Sequence, residues 1–252
     1  MTGRVAVVSG AGRGIGRAIA LALAAQGRRV AVCDVLEAEA ADTVAQVAAA
    51  GGEARPYVVD VTDSDAVQRG YLAVVDELGP VEVLVNCAGW DKFLPFVDTE
   101  EEFWDRVIEI NYKGVLRWVH AVLPAMVEAR WGRVVNIASD AGRVGSSLES
   151  VYSGAKGGVI AFTKTVAREA ARAGVTANVV CPGPTDTTLL RDAASSRGEE
   201  AEKFIGALTR AIPMRRVAQP EEIASAVAYF CSEEAGFVTG QTLSVSGGLT
   251  MA

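Results

Sequence analysis

Three side chains in the middle of the chain could together transfer a proton: Ser139, Tyr152 and Lys156. Tyr152 and Lys156 lie one turn apart on the same face of a helix predicted over Val151–Arg172. An ammonium group beside a phenol favours the phenolate and lowers a pKa that is about 10 in a free tyrosine. Tyr152 would then act as an acid or base near neutral pH, while the Ser139 hydroxyl holds the reacting oxygen. A Tyr-x-x-x-Lys pair also arises by chance, so the spacing alone is only suggestive.

A glycine-rich turn near the N-terminus predicts a dinucleotide site. The β-branched run Arg4–Ser9 is typical of a buried strand and leads directly into the glycines, which a helix rich in Ala and Leu follows. Glycine lets the backbone approach a pyrophosphate closely, and a helix N-terminus offers free N–H groups. Glycine clusters also occur in ordinary loops, but the strand–turn–helix context favours nucleotide binding. The expected cofactor contacts in this turn are Gly10, Gly12, Arg13, Gly14, Ile15 and Gly16.

An acidic residue follows the second predicted strand, Arg28–Cys33. Asp34 lies 20 positions after Gly14, where a carboxylate accepts hydrogen bonds from the adenosine ribose hydroxyls and repels a 2′-phosphate. This position favours NAD as the cofactor. The alternative is that Asp34 caps the helix predicted over Glu37–Ala50, and both roles are compatible.

Several motifs occur in a fixed order along essentially the whole chain: Gly10-x-x-x-Gly14-x-Gly16, Asn86-Cys-Ala-Gly89, Asn111, Ser139, Tyr152-x-x-x-Lys156 and Pro182-Gly183. Their order and spacing resemble the short-chain dehydrogenase/reductase family. The family has a second Asn where this chain has Cys87; that position meets the cofactor largely through its backbone, so the change should be tolerated. The resemblance implies one α/β domain over residues 1–252, a Rossmann fold whose doubly wound, seven-stranded parallel sheet carries helices on both faces.

The resemblance also implies the role of each site residue in an NAD-dependent oxidoreductase acting on CH–OH groups. Tyr152 exchanges the hydroxyl proton, Ser139 binds the reacting oxygen, and Lys156 binds the nicotinamide ribose and lowers the Tyr152 pKa. Asn111 distorts its helix and positions a water that carries protons from Lys156; a solvent-facing Asn is the alternative. Asp60 either contacts the adenine ring or forms an ordinary turn. The remaining implied cofactor contacts are Val61, Asn86, Cys87, Ala88, Gly89, Pro182, Gly183, Thr185 and Thr187.

The substrate is the open question within this family. Four segments, 90–96, 139–147, 182–190 and 240–251, are similar to those of 2-hydroxycyclohexanecarboxyl-CoA dehydrogenases, which predicts a cyclic or branched 3-hydroxyacyl thioester. The alternatives are a 3-oxoacyl-carrier-protein reductase, a general secondary-alcohol dehydrogenase, or a nucleotide-sensing protein without activity. The polar segment Pro184–Pro213 either covers the substrate or is a surface insertion. The expected substrate pocket contains Trp90, Arg143, Val144, Leu148, Leu189, Leu190 and Phe204, and the cations Arg143, Arg191, Arg197 and Lys203 either bind the phosphates of a CoA tail or form a solvated rim.

Composition narrows the possible partners and compartment. A net charge of −7 without a Lys/Arg block argues against a nucleic-acid or membrane partner. No signal segment or long apolar span is visible, so we expect a cytoplasmic protein. The four cysteines lack metal-ligand spacing and are expected to be small buried side chains. His120, the only histidine, is expected to pack inside its helix, and no metal site is predicted. The family resemblance and the apolar faces of the helices predicted over Thr99–Arg130 and Val151–Arg172 suggest a homotetramer.

Overall fold

A seven-stranded parallel sheet runs through the protein, whose computed structural model describes residues 3–195 and 198–251. The strand order is β3-β2-β1-β4-β5-β6-β7, so the chain starts in the middle of the sheet, builds one half outward, and returns to build the other. The strands are β1 Val5–Ser9, β2 Arg29–Asp34, β3 Glu53–Val58, β4 Val81–Asn86, β5 Gly132–Ile137, β6 Val175–Pro182 and β7 Thr242–Val245.

Strand β1 explains why the sheet is covered on both faces. All five of its residues are buried, because successive side chains point to opposite faces and each face meets helices. Val5 and Val7 join the apolar core on one face, whereas Ala6 and Val8 join the core on the other. In register, Val7 lies between Ala31 of β2 and Leu84 of β4.

Ten α-helices within the described ranges cover the sheet. Helices α1 and α10 pack against one face, where Ile19, Leu23, Ile223 and Val227 are fully buried; α5 and α7 cover the other face, with Trp118 at its centre. The helices are α1 Gly14–Ala25, α2 Glu37–Ala49, α3 Ser64–Leu78, α4 Glu101–Ile108, α5 Gly114–Ala129, α6 Ala141–Val144, α7 Ser150–Ala170, α8 Thr188–Ser195, α9 Ala201–Ala211 and α10 Pro220–Phe230.

The predicted fold class is confirmed, and the strands predicted at Arg4–Ser9 and Arg28–Cys33 match β1 and β2 to within one residue. The helix predicted over Thr99–Arg130 is instead two α-helices joined by a π-helical turn, Glu109–Lys113. The polar segment Pro184–Pro213 contains α8, a 3-10 turn at Gly198–Glu200, and α9. None of the described helices is long and apolar enough to cross a membrane.

Two expectations about individual side chains differ from the structure. His120 is exposed on α5 and does not pack inside the helix, because the buried stripe of that helix runs through its neighbours Trp118, Val119 and Val122. Cys33, Cys181 and Cys231 are buried as expected, but Cys87 is only partly buried, since it follows the end of β4 where the sheet opens.

Candidate active site

A cavity of about 950 Å³ opens at the carboxyl ends of the strands. It lies where β1 separates β2 from β4, the point at which the strand order reverses and ligands bind in doubly wound sheets. Most of the residues singled out from the sequence line this one space. They are Gly10, Arg13, Gly14, Ile15, Gly16, Asp34, Asp60, Val61, Cys87, Ala88, Gly89, Trp90, Ser139, Val144, Tyr152, Lys156, Pro182, Gly183, Thr185, Thr187, Leu189 and Leu190.

Six of the expected site residues do not line the cavity: Gly12, Asn86, Asn111, Arg143, Leu148 and Phe204. Gly12 does not reach the cavity surface, and the Asn86 amide donates a hydrogen bond of 2.8 Å to the buried Asn136 side chain. Gly12 and Asn86 therefore lie next to residues of the cavity wall and are not part of the wall itself.

Three further side chains of this group, Arg143, Phe204 and Leu148, lie outside the cavity lining. The Arg143 guanidinium donates to the Ser244 hydroxyl of β7 at 2.8 Å. Phe204 of α9 packs edge-on against Phe93, with ring centroids 5.9 Å apart. Leu148 has a left-handed φ of 69° and its side chain is exposed. None of these three side chains lines the cavity, and their contact with the substrate stays a prediction.

The glycine turn provides an open anion site at the start of α1. Gly10 has a φ of 65°, and a Cβ there would lie 2.6 Å from the Cα of Ala88, so only glycine allows the turn to pass the end of β4. The first turn of α1 receives no side-chain cap from Arg13, although Gly14 and Ile15 line the cavity. Free N–H groups at a helix N-terminus bind phosphate. This donor set fits the pyrophosphate of a dinucleotide.

Asp34 is fixed at the opposite side of this turn. One carboxylate oxygen accepts the backbone N–H of Gly12 at 2.8 Å, and the other accepts that of Leu36 at 3.0 Å. Leu36, not Asp34, occupies the N-cap position of α2, and it makes no side-chain cap. The alternative role of Asp34 as the helix cap is therefore not what the structure shows. The carboxylate lines the cavity with no cation bonded to it among the described side chains.

Asp60 and Val61 line the same end of the cavity. Asp60 accepts the backbone N–H of Thr62 at 2.8 Å and its hydroxyl at 2.7 Å, so the turn-forming role considered for Asp60 is present. This role leaves the side chain at the cavity wall, and the two interpretations do not exclude each other.

Ser139, Tyr152 and Lys156 lie close together in the cavity wall. The Lys156 ammonium is buried, donates to the carbonyl oxygen of Ile137 at 2.9 Å, and lies 5.5 Å from the centre of the Tyr152 ring. Burial lowers the Lys156 pKa to about 8. The Ser139 hydroxyl accepts the backbone N–H of Ala141 at 3.1 Å, which fixes its position at the end of β5.

The Tyr152 pKa differs from the sequence-based expectation. Burial raises it well above its ordinary value, the charges of Glu149 and Asp91 raise it further, and only a hydrogen bond with Ser139 opposes them. The Tyr152 pKa is therefore raised in the structure, whereas the sequence predicts that Lys156 lowers it.

Asn111 lies in the π-helical turn, fully buried, so a solvent-facing role is excluded. Its amide nitrogen donates to the carbonyl oxygens of Val107 at 2.9 Å and of Trp90 at 2.6 Å. Its amide oxygen accepts the Trp90 backbone N–H at 3.2 Å. The helix distortion expected at Asn111 is present, and the side chain clamps the segment that follows β4.

Two carboxyl groups near Tyr152 were missed from the sequence: Asp91 and Glu149. Both line the cavity, and Asp91 is buried. Asp91 stands in the run Trp90-Asp-Lys-Phe-Leu-Pro-Phe96, where an acidic residue between aromatic ones was the available signal. The significance of Glu149 depends on tertiary proximity, because it precedes α7 in an otherwise polar loop.

The cations considered for binding the phosphates of a CoA tail do not form a cluster. Their positions fit the alternative, a solvated rim. Arg143 is bonded to Ser244, and Arg191 forms an ion pair of 2.9 Å with Asp186 on the surface. Lys203 is exposed on α9, and Arg197 lies outside the described residues. None of these described cations lines the cavity.

Comparison with known proteins agrees with this geometry. A family model described as enoyl-(acyl carrier protein) reductase matches residues 10–250. The chain is 40% identical to a 3-oxoacyl-[acyl-carrier-protein] reductase of Synechocystis sp., over 100% of this chain and 98% of the relative. It is 37% identical to an acetoacetyl-CoA reductase of Allochromatium vinosum, over 98% of this chain and 99% of that one.

A solved structure shares both fold and sequence. A variant of the actinorhodin polyketide ketoreductase with NADPH superimposes with a TM-score of 0.93 at 39% identity, covering 98% of this chain and 97% of that chain. Similarity over the full length of these proteins is what shared family membership predicts. The same membership accounts for the order of the motifs, for the doubly wound sheet, and for the cavity lined by Ser139, Tyr152 and Lys156. The chain belongs to the short-chain dehydrogenase/reductase family, as an oxidoreductase that interconverts hydroxyl and ketone groups with a nicotinamide cofactor.

Proposed function

We propose that this protein reduces a 3-oxoacyl thioester to the 3-hydroxyacyl thioester, with NADH as the preferred cofactor. The reaction is the alternative considered from the sequence, and the relatives named 3-oxoacyl-carrier-protein reductase and acetoacetyl-CoA reductase support it over oxidation of 2-hydroxycyclohexanecarboxyl-CoA. Both relatives' names describe reduction of a ketone β to a thioester carbonyl.

The observation that carries the proposal is the cavity that Ser139, Tyr152 and Lys156 line together, in a chain 40% identical to a 3-oxoacyl-[acyl-carrier-protein] reductase. Because burial and neighbouring carboxylates raise the Tyr152 pKa, the phenol keeps its proton at neutral pH. Ketone reduction needs a proton donor at the carbonyl oxygen, whereas alcohol oxidation needs a base. A phenol that carries its proton can serve as this donor at the ketone oxygen.

Each residue of the centre then has a definite task. The Ser139 hydroxyl and the Tyr152 phenol hydrogen-bond the ketone oxygen and polarise the carbonyl. The bound nicotinamide supplies the hydride to the carbonyl carbon. Tyr152 donates its proton to the developing alkoxide, and the Lys156 ammonium stabilises the phenolate that remains. With a pKa of about 8, Lys156 keeps its charge at neutral pH. Lys156 also binds the nicotinamide ribose. Asn111 holds the backbone of Trp90 in place at the cavity wall.

The preference for NAD(H) rests on charges around Asp34. Its carboxylate is held by two backbone N–H groups at the cavity wall, where doubly wound dinucleotide-binding folds carry the acidic residue that binds the adenosine ribose. Arg17, the nearby cation of α1, is occupied by ion pairs of 2.9 Å with Glu39 and with Asp42. The exposed Arg13 remains as the cation that a 2′-phosphate could recruit.

The acyl group is proposed to be apolar, and a cyclic or branched chain fits the lining. Trp90, Val144, Leu189 and Leu190 form an apolar wall beside the catalytic centre. The last two belong to α8, in the Pro184–Pro213 segment, which we propose covers the substrate. The described cations considered for CoA binding do not line the cavity, so they do not identify the acyl carrier.

Measuring NADH oxidation with matched thioesters tests the proposal. The purified protein is given 3-oxobutanoyl and 2-oxocyclohexanecarboxyl groups, each on CoA, on acyl carrier protein and on N-acetylcysteamine. We expect turnover of both acyl groups, with kcat/KM reporting the preferred carrier. Turnover of simple ketones with no thioester activity would contradict the proposal and favour a general secondary-alcohol dehydrogenase.

A further inference from the structure

Arg106 of α4 lines the cavity, and the mechanism above leaves it without a task. Three cations of the described part of the chain line this space. Lys156 belongs to the catalytic centre, and Arg13 stands at the glycine turn before α1. Arg106 is the third, beside Trp90, and it is not among the cations considered from the sequence for binding a carrier.

The Arg106 guanidinium is stacked on an aromatic ring. Its central carbon lies 4.0 Å from the centre of the Trp90 ring, and Phe103, three residues earlier on α4, packs edge-on against the same ring at 5.8 Å. Cation–π attraction holds a guanidinium by its flat face. The five N–H donors point outward in the plane of the group, so stacking leaves them available to a ligand.

The ring that carries Arg106 belongs to a fixed segment. The Asn111 amide donates to the carbonyl oxygen of Trp90 at 2.6 Å and accepts its backbone N–H at 3.2 Å. The backbone N–H of Leu94 donates to the carbonyl oxygen of Leu148 at 2.9 Å, which ties the segment after β4 to the residues before α7. Arg106 is therefore held at a defined place in the cavity wall.

The N–H donors of Arg106 have no acceptor within the described residues. Neither an ion pair nor a hydrogen bond joins this guanidinium to them. Glu102 lies four residues earlier on α4, the spacing at which acid–base pairs commonly form, yet Arg106 forms none with it. Glu109 is occupied by ion pairs of 2.5 Å with Lys113 and 2.6 Å with Arg117. Arg106 is thus an exposed cation available to an anion at the cavity.

We propose that Arg106 binds the phosphate of a phosphopantetheine arm on the acyl thioester, and so makes the enzyme selective for a phosphorylated carrier. The inference rests on the proposed function. Coenzyme A and acyl carrier protein both hold the acyl group on pantetheine, and in both a phosphate follows the pantetheine. The planar fork of a guanidinium matches two phosphate oxygens. Arg106, Ser139 and Tyr152 line one cavity, so the arm has a continuous path from the reacting ketone to Arg106.

This contact gives selectivity by binding and not by steering. The protein has a net charge of −7, so its overall field does not attract a phosphate from a distance. A contact remote from the reacting carbon stabilises the bound substrate and the transition state equally. The phosphate should therefore lower KM and leave kcat nearly unchanged.

The test compares two thioesters that differ only in the phosphate: 3-oxobutanoyl-pantetheine and 3-oxobutanoyl-4′-phosphopantetheine. In wild type, kcat/KM should be about 5- to 30-fold higher for the phosphorylated compound, between the effects of an exposed ion pair and of a buried charged hydrogen bond. Arg106→Met keeps a long apolar side chain over Trp90 and removes the charge. Its ratio of the two kcat/KM values should fall to within about twofold of one. Each ratio is measured within one protein, so it does not depend on the fraction that folds.

Further variants and added salt separate phosphate binding from a structural role. Arg106→Lys keeps a charge without the fork, so it should retain part of the preference that Arg106→Met loses. Arg69→Met, which removes an exposed guanidinium of α3 outside the cavity lining, is the matched control and should keep the wild-type ratio. Raising NaCl to about 1 M should lower the wild-type ratio, because salt screens an exposed ion pair. The Arg106→Met ratio should not respond to salt.

The same variant identifies the source of the phosphate. We compare 3-oxobutanoyl-CoA and 3-oxobutanoyl-acyl carrier protein in wild type and Arg106→Met. The carrier whose kcat/KM falls by about fivefold or more supplies the phosphate, and a fall for both identifies their common phosphopantetheine. A fall for neither would overturn the role of Arg106. The Kd for NADH should be unchanged, and a rise equal to the loss of kcat/KM would assign Arg106 to a cofactor phosphate instead.

The two proposals fail in different ways. If wild type reduces both pantetheine thioesters equally well, or if Arg106→Met and Arg106→Lys have the same ratio, the role of Arg106 is overturned while the proposed function stands. If wild type reduces 2-pentanone and neither thioester, the proposed function is overturned, and the role of Arg106 with it.

Discussion

The backbone N–H of Gly12 donates to the carboxylate of Asp34 at 2.8 Å, which links the glycine turn before α1 to the end of β2. A 2′-phosphate on the adenosine ribose would meet this fixed negative charge. We predict that kcat/KM with NADH exceeds that with NADPH by about 100-fold or more, because like charges at a partly buried site cost several kcal/mol. Steady-state kinetics with both cofactors at one substrate concentration measure the ratio.

Variants identify the origin of that preference. Asp34→Ser should bring the two cofactors within about tenfold of each other, since it removes the repulsion without adding a cation. Glu37→Gln, an exposed acidic residue of α2 outside the cavity, is the control and should leave the ratio unchanged. A wild-type ratio near one would mean that Arg13 neutralises the phosphate, and Arg13→Ala should then restore the preference for NADH.

Tyr152→Phe should abolish turnover and leave NADH binding nearly intact. Loss of a general acid lowers kcat about 100- to 10,000-fold, while the ring that Phe retains preserves the packing. Single-turnover absorbance at the NADH band and NADH fluorescence titration measure the two quantities. Tyr229→Phe, which removes a hydroxyl from an exposed tyrosine of α10, should behave like wild type. A Tyr152→Phe protein with a large part of the wild-type kcat would refute the assignment.

Lys156 is predicted to affect both catalysis and cofactor binding. Lys156→Met keeps most of the buried side-chain volume but removes the ammonium that we propose stabilises the Tyr152 phenolate and binds the ribose. We expect kcat to fall about 100-fold or more and the Kd for NADH to rise. If only kcat falls, the proposed ribose contact is wrong.

The parts of this protein predicted well from sequence are those that local chemistry determines. The β-branched run Arg4–Ser9 predicts a buried strand and the glycines after it a turn, and the structure has both, with the strand at Val5–Ser9. Asn111 interrupts a predicted helix because a buried amide in a helix interior needs partners, and it finds them in Trp90 and Val107.

The side chains that were placed wrongly depend on partners far away in sequence. The Arg143 guanidinium donates a hydrogen bond to Ser244, 101 positions later, and does not line the cavity. The Tyr152 pKa depends on burial and on the charges of Glu149 and Asp91, and Asp91 is 61 positions earlier in the chain. Periodicity and motif spacing carry no information on such contacts.

The homotetramer remains a prediction, and exposed apolar side chains around the edge strand β7 support it. Phe237 is fully exposed, and Leu243 and Met251 are 42% and 85% exposed. Large exposed apolar residues mark interaction surfaces when they occur together. Sedimentation should give a species of about four times 26.3 kDa, and Phe237→Asp should shift it to a smaller one. A 26.3 kDa species for wild type at micromolar concentration would refute the prediction.

Asp91 should make the protein less stable as the pH rises, which Asp91→Asn should prevent. The folded-state pKa of about 7 lies above the ordinary value of 3.8, so between these values the folded protein binds more protons than the unfolded chain. Stability then falls as the pH rises and is lowest above the folded pKa. From about pH 5 to about pH 8.5, the free energy of unfolding of the variant should gain about 3 kcal/mol on wild type. Urea denaturation at equal protein concentration measures this difference at each pH. Asp98→Asn, which removes an exposed carboxyl from the same segment outside the cavity lining, should stay within about 0.5 kcal/mol of wild type throughout. A constant difference between Asp91→Asn and wild type across this range would show that Asp91 is ionised in the folded protein already at the acidic end.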